Sequence, residues 1–89
     1  MPVFLLPAAL SKRVGKHSLD YQEEGLLNYF LKLMCSECPA IEPQVFAGAE
    51  LTPFIKIFIN SVDCAKLQGL KTPLKLKDEV QVVLATAGG

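Results

Sequence analysis

The feature that most constrains the fold is a change in the spacing of apolar residues along the chain. Between residues 23 and 38 they recur at helical intervals, which would give one apolar side to a helix: Leu27, Phe30, Leu31, Met34 and Cys38. Glu23 and Glu24 are predicted to lie in the first turn, where negative charge suits the helix dipole. Pro39 is predicted to end the helix, because the residue before a proline avoids the α region. A helix with one apolar side needs another layer to cover it.

The segments on both sides of this helix alternate as β-strands do. Residues 2–7 and 17–21 are predicted to form an N-terminal hairpin around a polar turn at residues 11–16. Residues 54–60 and 79–84 are predicted to be long strands, and their inward residues would be Ile55, Ile57, Ile59, Val80, Val82 and Leu84.

The connections between these elements are less regular. Residues 39–53 are interpreted as a long surface loop with room for one short helical turn. A short strand is predicted around residues 62–67, and Thr72-Pro73 is predicted to form a turn. With 89 residues, the chain is expected to be one α+β domain spanning residues 1–89.

The composition argues against two classes of partner. Nine basic residues balance nine acidic residues, so the formal net charge is zero. Binding to nucleic acid or to an anionic membrane draws mainly on excess positive charge, so neither partner is expected. The apolar first ten residues lack the preceding positive segment of a signal peptide, and a cytoplasmic protein is expected.

From residue 54 onward, the chain resembles the ubiquitin-like sulfur carriers of the MoaD and ThiS type. The resemblance rests on residues 54–60, on the sequence Leu-Gln-Gly-Leu-Lys-Thr-Pro-Leu at residues 67–74, on Lys-Asp-Glu-Val at 77–80, and on the terminal Ala-Gly-Gly. It implies a β-grasp fold, with a mixed sheet of four to five strands packed on one main helix. The N-terminal hairpin and helix agree with that fold in order and length.

The same resemblance implies that the chemistry takes place at the C-terminus. In this reading Gly89 is adenylated and converted to a thiocarboxylate, while Gly88, Ala87 and Thr86 are recognised by the activating enzyme. Glycine reaches backbone conformations closed to other residues, so two in series can enter a narrow channel. Residues 85–89 are therefore expected to form a flexible tail.

The resemblance also implies which proteins act on such a carrier. The chain would be a cosubstrate or the small non-catalytic subunit of a synthase, not an enzyme, with no bound cofactor. An ATP-dependent adenylyltransferase similar to MoeB or ThiF would consume the ATP, and a sulfurtransferase is a further candidate. The sulfur acceptor would be a molybdopterin synthase large subunit or a cysteine synthase homologue, since the loop at residues 39–53 is longer than thiamine-type carriers usually have.

A docking patch is predicted on the outer face of the sheet. Phe58 and Val83 alternate away from the inward residues of their strands, so both would face solvent or a partner. On the first strand both faces are apolar, and the sequence leaves open whether Phe4 or Leu5 joins this patch.

The remaining reactive residues do not form a recognisable site. Cys35 and Cys38 have the spacing of zinc and redox motifs, but only Cys64 and His17 remain as further ligands. At the end of a helix the dipole opposes thiolate formation, so no metal or redox site is predicted. Cys38 is instead expected in the core and Cys35 partly exposed, and His17 is interpreted as a solvated strand residue.

Two other functions stay open at this stage. A ubiquitin-like modifier would use the same activated Gly-Gly end to form isopeptide bonds with lysines. A plain interaction module would use the β-grasp surface alone and would keep its binding after loss of the tail.

Overall fold

The computed structural model describes residues 2–84 of the chain. Its helices and strands, in chain order, are β1 (Val3–Leu5), α1 (Ala8–Val14), β2 (Ser18–Asp20), β3 (Gly25–Leu26), α2 (Leu27–Glu37), α3 (Glu42–Val45), β4 (Phe46–Ala47), β5 (Glu50–Leu51), β6 (Ile55–Ile59), β7 (Val62–Asp63), β8 (Pro73–Leu74) and β9 (Glu79–Leu84). Within this range no helix has the length and apolar character needed to cross a bilayer.

The main sheet has five strands in the order β2-β1-β9-β6-β7. The central pair β1–β9 is parallel, and the other three pairs are antiparallel. Helix α2 buries its apolar side in the same core as the inward residues of the sheet. The predicted α+β class, the β-grasp arrangement and the N-terminal pairing of β1 with β2 are confirmed.

The core follows from the strict alternation of β6 and β9. Ile55, Ile57 and Ile59 are each at most 5% exposed. Val80 and Val82 face the same way on β9, and Phe4 lies beside Val80 on β1 with no exposed surface. The open question about the first strand is thereby answered, because Phe4 points into the core and Leu5 to the opposite face.

The predicted polar turn at residues 11–16 is wrong, because most of it belongs to helix α1. Leu10 is fully buried, and the Oγ of Ser11 donates to the carbonyl of Ala8 at 3.2 Å, so this serine needs no solvent. Gly15 ends the helix at φ 89°, a left-handed conformation in which its N–H donates to the Ser11 carbonyl.

The main helix begins at Leu27, four residues later than predicted. Glu23 and Glu24 precede it and are exposed, so the expectation that they lie in its first turn is wrong. The helix starts where it does because β3 pairs with β8, and the Leu27 N–H donates to the carbonyl of Thr72. The predicted turn at Thr72-Pro73 is also wrong, since Pro73 opens β8.

Residues 39–53 contain more secondary structure than the predicted surface loop. They contain a 3₁₀ turn at Pro39–Ile41, the predicted single turn of α-helix (α3) and the small β4–β5 hairpin. Ile41 and Val45 are almost fully buried, so this segment closes one end of the core.

Candidate functional site

The candidate site begins at the end of the last described strand, β9. The whole predicted tail, residues 85–89, lies outside the described residues. It includes the predicted activated residue Gly89 and the predicted recognition residues Thr86, Ala87 and Gly88. Their roles stay predictions, and the described residues fix the place from which the C-terminal segment extends. That place is Leu84, the last residue of β9.

Neither strand that flanks β9 extends past the level of Leu84. Leu84 is opposite Ile55, the first residue of β6, which follows a turn containing Pro53. On the other side β1 ends at Leu5, opposite Gln81, and the chain continues through Pro7 into α1. Position 84 is therefore the last one in β9 that has a partner on a neighbouring strand.

The opposite end of β9 is held by a polar corner, defined here as Asn60 and Asp78. The Asn60 side chain donates to Asp78 Oδ1 at 2.9 Å and accepts from the Glu79 N–H at 3.0 Å. Asp78 Oδ2 accepts from the Lys75 N–H at 2.7 Å. Asn60 has φ 50°, and asparagine is among the residues that tolerate this left-handed region best. The strand that leads to the C-terminus is thus fixed at its start.

The two predicted docking residues lie on one face of the sheet. Phe58 is opposite Gln81 and Val83 is opposite Lys56, so Phe58 and Val83 are diagonal neighbours, about 7–8 Å apart. Both are half-buried, and Leu5 lies beside Gln81 from the other side. We call Leu5, Phe58, Gln81 and Val83 the outer patch. The contribution of Leu5 could not be read from the sequence because both faces of the first strand are apolar.

A groove of about 490 Å³ lies beside Leu84, the last described residue. Leu84 lines it together with Ala8 and Ala9 of α1, Gln44 of α3, and Phe54, whose side chain is 49% exposed. Sequence reasoning missed this groove because its walls come from three distant segments. The exposed Phe54, directly before the buried run of β6, is the one signal that could have indicated it.

The thiols are placed in the reverse of the predicted order. Cys35 is buried at 4% exposure, whereas Cys38 is half-buried, so the expectation of a core Cys38 and a partly exposed Cys35 is wrong. Cys35 lies one turn after the buried Leu31 on α2, whereas Cys38 follows the end of the helix with φ −137° and is only partly buried against the core. Its Sγ donates to the carbonyl of Arg13 at 3.5 Å.

Two of the three thiols are poor nucleophiles in the folded chain. Burial raises the pKa of Cys35 to about 11, and the negative charge of Glu42 adds to the shift. Burial also raises the pKa of Cys64, with a further contribution from Asp63. Thiolates are therefore scarce at these two positions near neutral pH.

His17 is exposed, as predicted, but it directly precedes β2 and lies outside the strand. Its carbonyl accepts from the Leu6 N–H, which is a ladder contact of the hairpin. Among residues 2–84, no group of three or more potential ligands is arranged to hold a metal ion.

The sequence comparisons identify one relative along nearly the whole chain. No protein-family model matches. A curated protein of Archaeoglobus fulgidus, assigned as a sulfur carrier, is 45% identical over 85 residues, which cover 94% of this chain and 93% of that protein.

The structure comparisons agree on the fold. A chain of the Amycolatopsis orientalis BexX/CysO complex superposes with a TM-score of 0.87 at 21% identity, and each chain is covered completely. The small archaeal modifier protein 1 of Methanosarcina acetivorans superposes with a TM-score of 0.82 at 26% identity, covering 99% of this chain and 95% of that one.

Proposed function

This chain belongs to the sulfur carrier proteins, and we propose that it carries the sulfur as a thiocarboxylate on Gly89. A protein can carry sulfur as a persulfide on a cysteine or as a thiocarboxylate on a terminal carboxyl group. The observation that supports the thiocarboxylate is the state of the thiols.

A persulfide forms on an accessible thiolate. Cys35 and Cys64 are at most 4% exposed, and burial raises the pKa of both thiols. Cys38 is half-buried, and its Sγ donates to a backbone carbonyl. Cys35 and Cys64 are therefore poorly suited to rapid loading and unloading of sulfur, which supports the carboxylate of Gly89 as the carrier group.

The proposed reaction has two steps, both in a partner's active site. The Gly89 carboxylate attacks the α-phosphate of ATP, which gives an acyl-adenylate and releases pyrophosphate. Sulfide from a donor then attacks the acyl carbon and displaces AMP, leaving a thiocarboxylate. Where the donor is a persulfide, its outer sulfur attacks and displaces AMP instead, and a second thiol of the donor cleaves the resulting acyl disulfide, which leaves the thiocarboxylate and a disulfide on the donor. This chain supplies the acyl group, and the adenylyltransferase, similar to MoeB or ThiF, supplies the catalytic groups.

The described residues suit delivery of a tail into such a site. β9 is fixed at its start by the polar corner and is paired with β6 as far as Leu84, the last described residue. The outer patch and the groove at Leu84 lie close to this residue, so a partner that binds them would hold the body of the domain while residues 85–89 reach its active site. The two glycines would allow the close approach of backbone to ATP.

We further propose that the acceptor is a synthase that binds the same patch. A cysteine synthase homologue or a molybdopterin synthase large subunit are the two candidates, with a sulfurtransferase as an upstream donor. ATP-dependent activation and three free thiols fit a cytoplasmic protein.

The test is conversion in a purified system. The protein is incubated with ATP, its activating enzyme and a sulfur donor, and intact mass is followed. In the wild-type protein and in Cys38→Ala, we expect the mass to increase by the difference between one sulfur and one oxygen atom. After deletion of Gly89, we expect the mass to stay unchanged. Circular dichroism should show that the deletion variant is folded. Loss of conversion in Cys38→Ala, or conversion without Gly89, would contradict the proposal.

A second function is favoured by one observation. The 26% identity to a small archaeal modifier protein extends over 99% of this chain, and a modifier would use the same activated carboxyl group to acylate lysine amines. Expression of a tagged wild-type protein and of the Gly89 deletion separates the two functions. Conjugates of higher mass that carry isopeptide-linked Gly89 would support the modifier role, and their absence would leave sulfur transfer alone.

A further inference from the structure

The hydrogen-bond ladder between β6 and β9 fixes which backbone groups of the two strands face each other. The Asn60 N–H donates to the Glu79 carbonyl at 2.8 Å, so these two residues form a hydrogen-bonded pair. Hydrogen-bonded and non-hydrogen-bonded pairs alternate along an antiparallel ladder. Counted from that pair, Ile55 and Leu84 form a non-hydrogen-bonded pair. The backbone groups of the preceding residue, Phe54, therefore point towards the line of β9.

These two backbone groups lack a partner in the part of the chain that the structure describes. No hydrogen bond within residues 2–84 uses the N–H or the C=O of Phe54. The Ile55 N–H donates instead to the Thr52 carbonyl, which fits the alternation. In the register of the ladder, the residue opposite Phe54 is Ala85. One more residue of extended chain after Leu84 would supply both partners.

The groove beside Leu84 lies ahead of β9, between the continuations of its two neighbouring strands. Residues 7–9 follow β1 on one side, and Thr52 and Phe54 precede β6 on the other. Residues 43 and 44 of α3 complete the walls. A chain that continues in the direction of β9 therefore enters this groove.

We propose that the groove holds residues 85–87 of the chain itself in the free protein. Their sequence is Ala-Thr-Ala, and these small side chains carry methyl groups that suit the apolar walls. Extended, three residues advance by about 10 Å. Their docking removes part of the Phe54 ring, which is 49% exposed, from water. Gly88 and Gly89 have no side chain to bury and stay outside the groove.

A side chain in the groove also lacks a hydrogen-bond partner. The Oε1 of Gln44 is buried and accepts no hydrogen bond within the described residues. Thr52 holds this wall in place, because its hydroxyl donates to the Gln44 carbonyl at 3.2 Å. The terminal torsion of glutamine is broad, so the amide can turn towards a donor in the groove. A buried acceptor without a partner is costly, and the N–H groups of residues 85–87 and the Thr86 hydroxyl are suitable donors.

The chain's own segment is favoured over a segment of another protein because it is tethered at the groove. Leu84 lines the groove and is bonded to Ala85. A short tether gives an effective concentration in the millimolar range, which a free peptide does not reach in a cell. Another occupant has to displace residues 85–87 first.

The consequence for activation rests on the proposed function, whereas the docking itself does not. With residues 85–87 held, Gly88 and Gly89 extend by about 7 Å at most beyond the groove. A narrow channel in an activating enzyme needs a longer free segment. An enzyme that binds Phe54 and the groove displaces residues 85–87, so docking of the enzyme and release of the tail are one event.

Nuclear magnetic resonance of the isotope-labelled full chain tests the docking without any partner. We expect order parameters above about 0.6 at residues 85–87 and a lower value at Gly89. Nuclear Overhauser effects should connect the methyl groups of residues 85–87 to the Phe54 ring. Deletion of residues 85–89 should shift the amide resonances of Phe54 and Gln44, whereas deletion of residues 88–89 alone should leave them in place.

Two variants perturb the groove, each with a matched control. Ala9→Tyr fills the groove and should release residues 85–87, whereas Ala65→Tyr changes an exposed alanine outside it and should not. Gln44→Met removes the acceptor and should lower the ratio of docked to released segment by about 2- to 10-fold. Gln22→Met, at an exposed glutamine, should leave that ratio unchanged. The position of the Ala85 amide resonance between its docked and released values measures the ratio.

Three results would overturn the proposal. One is a wild-type chain without nuclear Overhauser effects between residues 85–87 and the groove. Another is retention of the full docked population in both Ala9→Tyr and Gln44→Met, each shown to be folded by circular dichroism. The third is contacts that occur only between labelled and unlabelled copies in a mixed sample, which would assign the groove to a second copy. Because no activating enzyme is present, failure of thiocarboxylation at Gly89 would leave these results unchanged.

Discussion

The corner formed by Asn60 and Asp78 allows the most quantitative prediction. Asp78→Ala removes two hydrogen bonds to a carboxylate, at 2.9 Å from the Asn60 side chain and at 2.7 Å from the Lys75 N–H. It also frees the Asn60 amide that accepts from Glu79. At a net value of about 0.5–1.5 kcal/mol per bond, the expected loss is about 2 kcal/mol. In a domain of this size that lowers Tm by about 10 °C.

A double-mutant cycle isolates the shared bond. Asn60→Gly keeps a backbone that can adopt φ 50° and removes only the side-chain contacts, so it should cost about 1–2 kcal/mol. Because the Asn60–Asp78 bond is lost in both single variants, the double variant should be less destabilised than their sum, by about 1 kcal/mol.

Urea unfolding of the four proteins provides these free energies. Lys77→Ala is the matched control, since Lys77 is an exposed neighbour in the same turn and should change stability by less than about 0.5 kcal/mol. The reasoning is refuted if Asp78→Ala is as stable as this control, or if the effects of Asn60→Gly and Asp78→Ala simply add.

Three further predictions concern other parts of the molecule. Phe58→Ser should raise the KM for thiocarboxylation several-fold, because a contact with the activating enzyme is lost. Leu67→Ser is the control and should leave the KM unchanged, since Leu67 is 45% exposed and lies outside the outer patch. Steady-state kinetics of thiocarboxylation measures both KM values. Folding raises the pKa of Cys35 from 9.0 to about 11. The protonated thiol therefore stabilises the folded state fully below pH 9, and this stabilisation is lost between pH 9 and 11, where the unfolded state releases the proton first. The urea midpoint should fall less steeply over that range in Cys35→Ala than in the wild type. Gly15→Ala should lower the free energy of unfolding by about 1 kcal/mol, because φ 89° strains a residue with a Cβ even though no atom lies within 4 Å of it. Gly15→Asn should lower it less, since asparagine tolerates left-handed conformations better. Thermal melts of both variants measure the two losses.

The long strands could be predicted from sequence because their pattern and their environment agree. Ile55, Ile57 and Ile59 alternate with polar or larger residues, and one buried face is enough to explain that pattern. The same holds for Glu79–Leu84, whose bounds the structure reproduces. Phe58 and Val83 were placed on the outer face by the same alternation.

The errors arise where distant contacts decide local structure. The start of α2 at Leu27 depends on β3 pairing with Pro73–Leu74, almost fifty residues further along the chain. Helix α1 has only seven residues, too few for a clear period, and its turn-like Ser11 bonds back to its own helix. The predicted environments of two thiols are reversed, because Cys35 is buried one turn after Leu31, whereas Cys38 lies just past the end of α2 and is only partly buried against the core.

The site could be predicted only in part for a similar reason. The patch on two adjacent strands follows from alternation, but the groove at Leu84 is assembled from α1, α3 and the turn before β6. No local pattern connects those three segments.

The most direct measurement locates the sulfur on the protein itself. The chain is purified from cells that contain its activating enzyme, treated with an alkylating reagent, digested and sequenced by tandem mass spectrometry. An alkyl thioester at Gly89, with Cys35, Cys38 and Cys64 free of extra sulfur, is the predicted result. Sulfur found on one of these cysteines as an alkylated persulfide, with an unmodified carboxyl group at Gly89, would contradict the account.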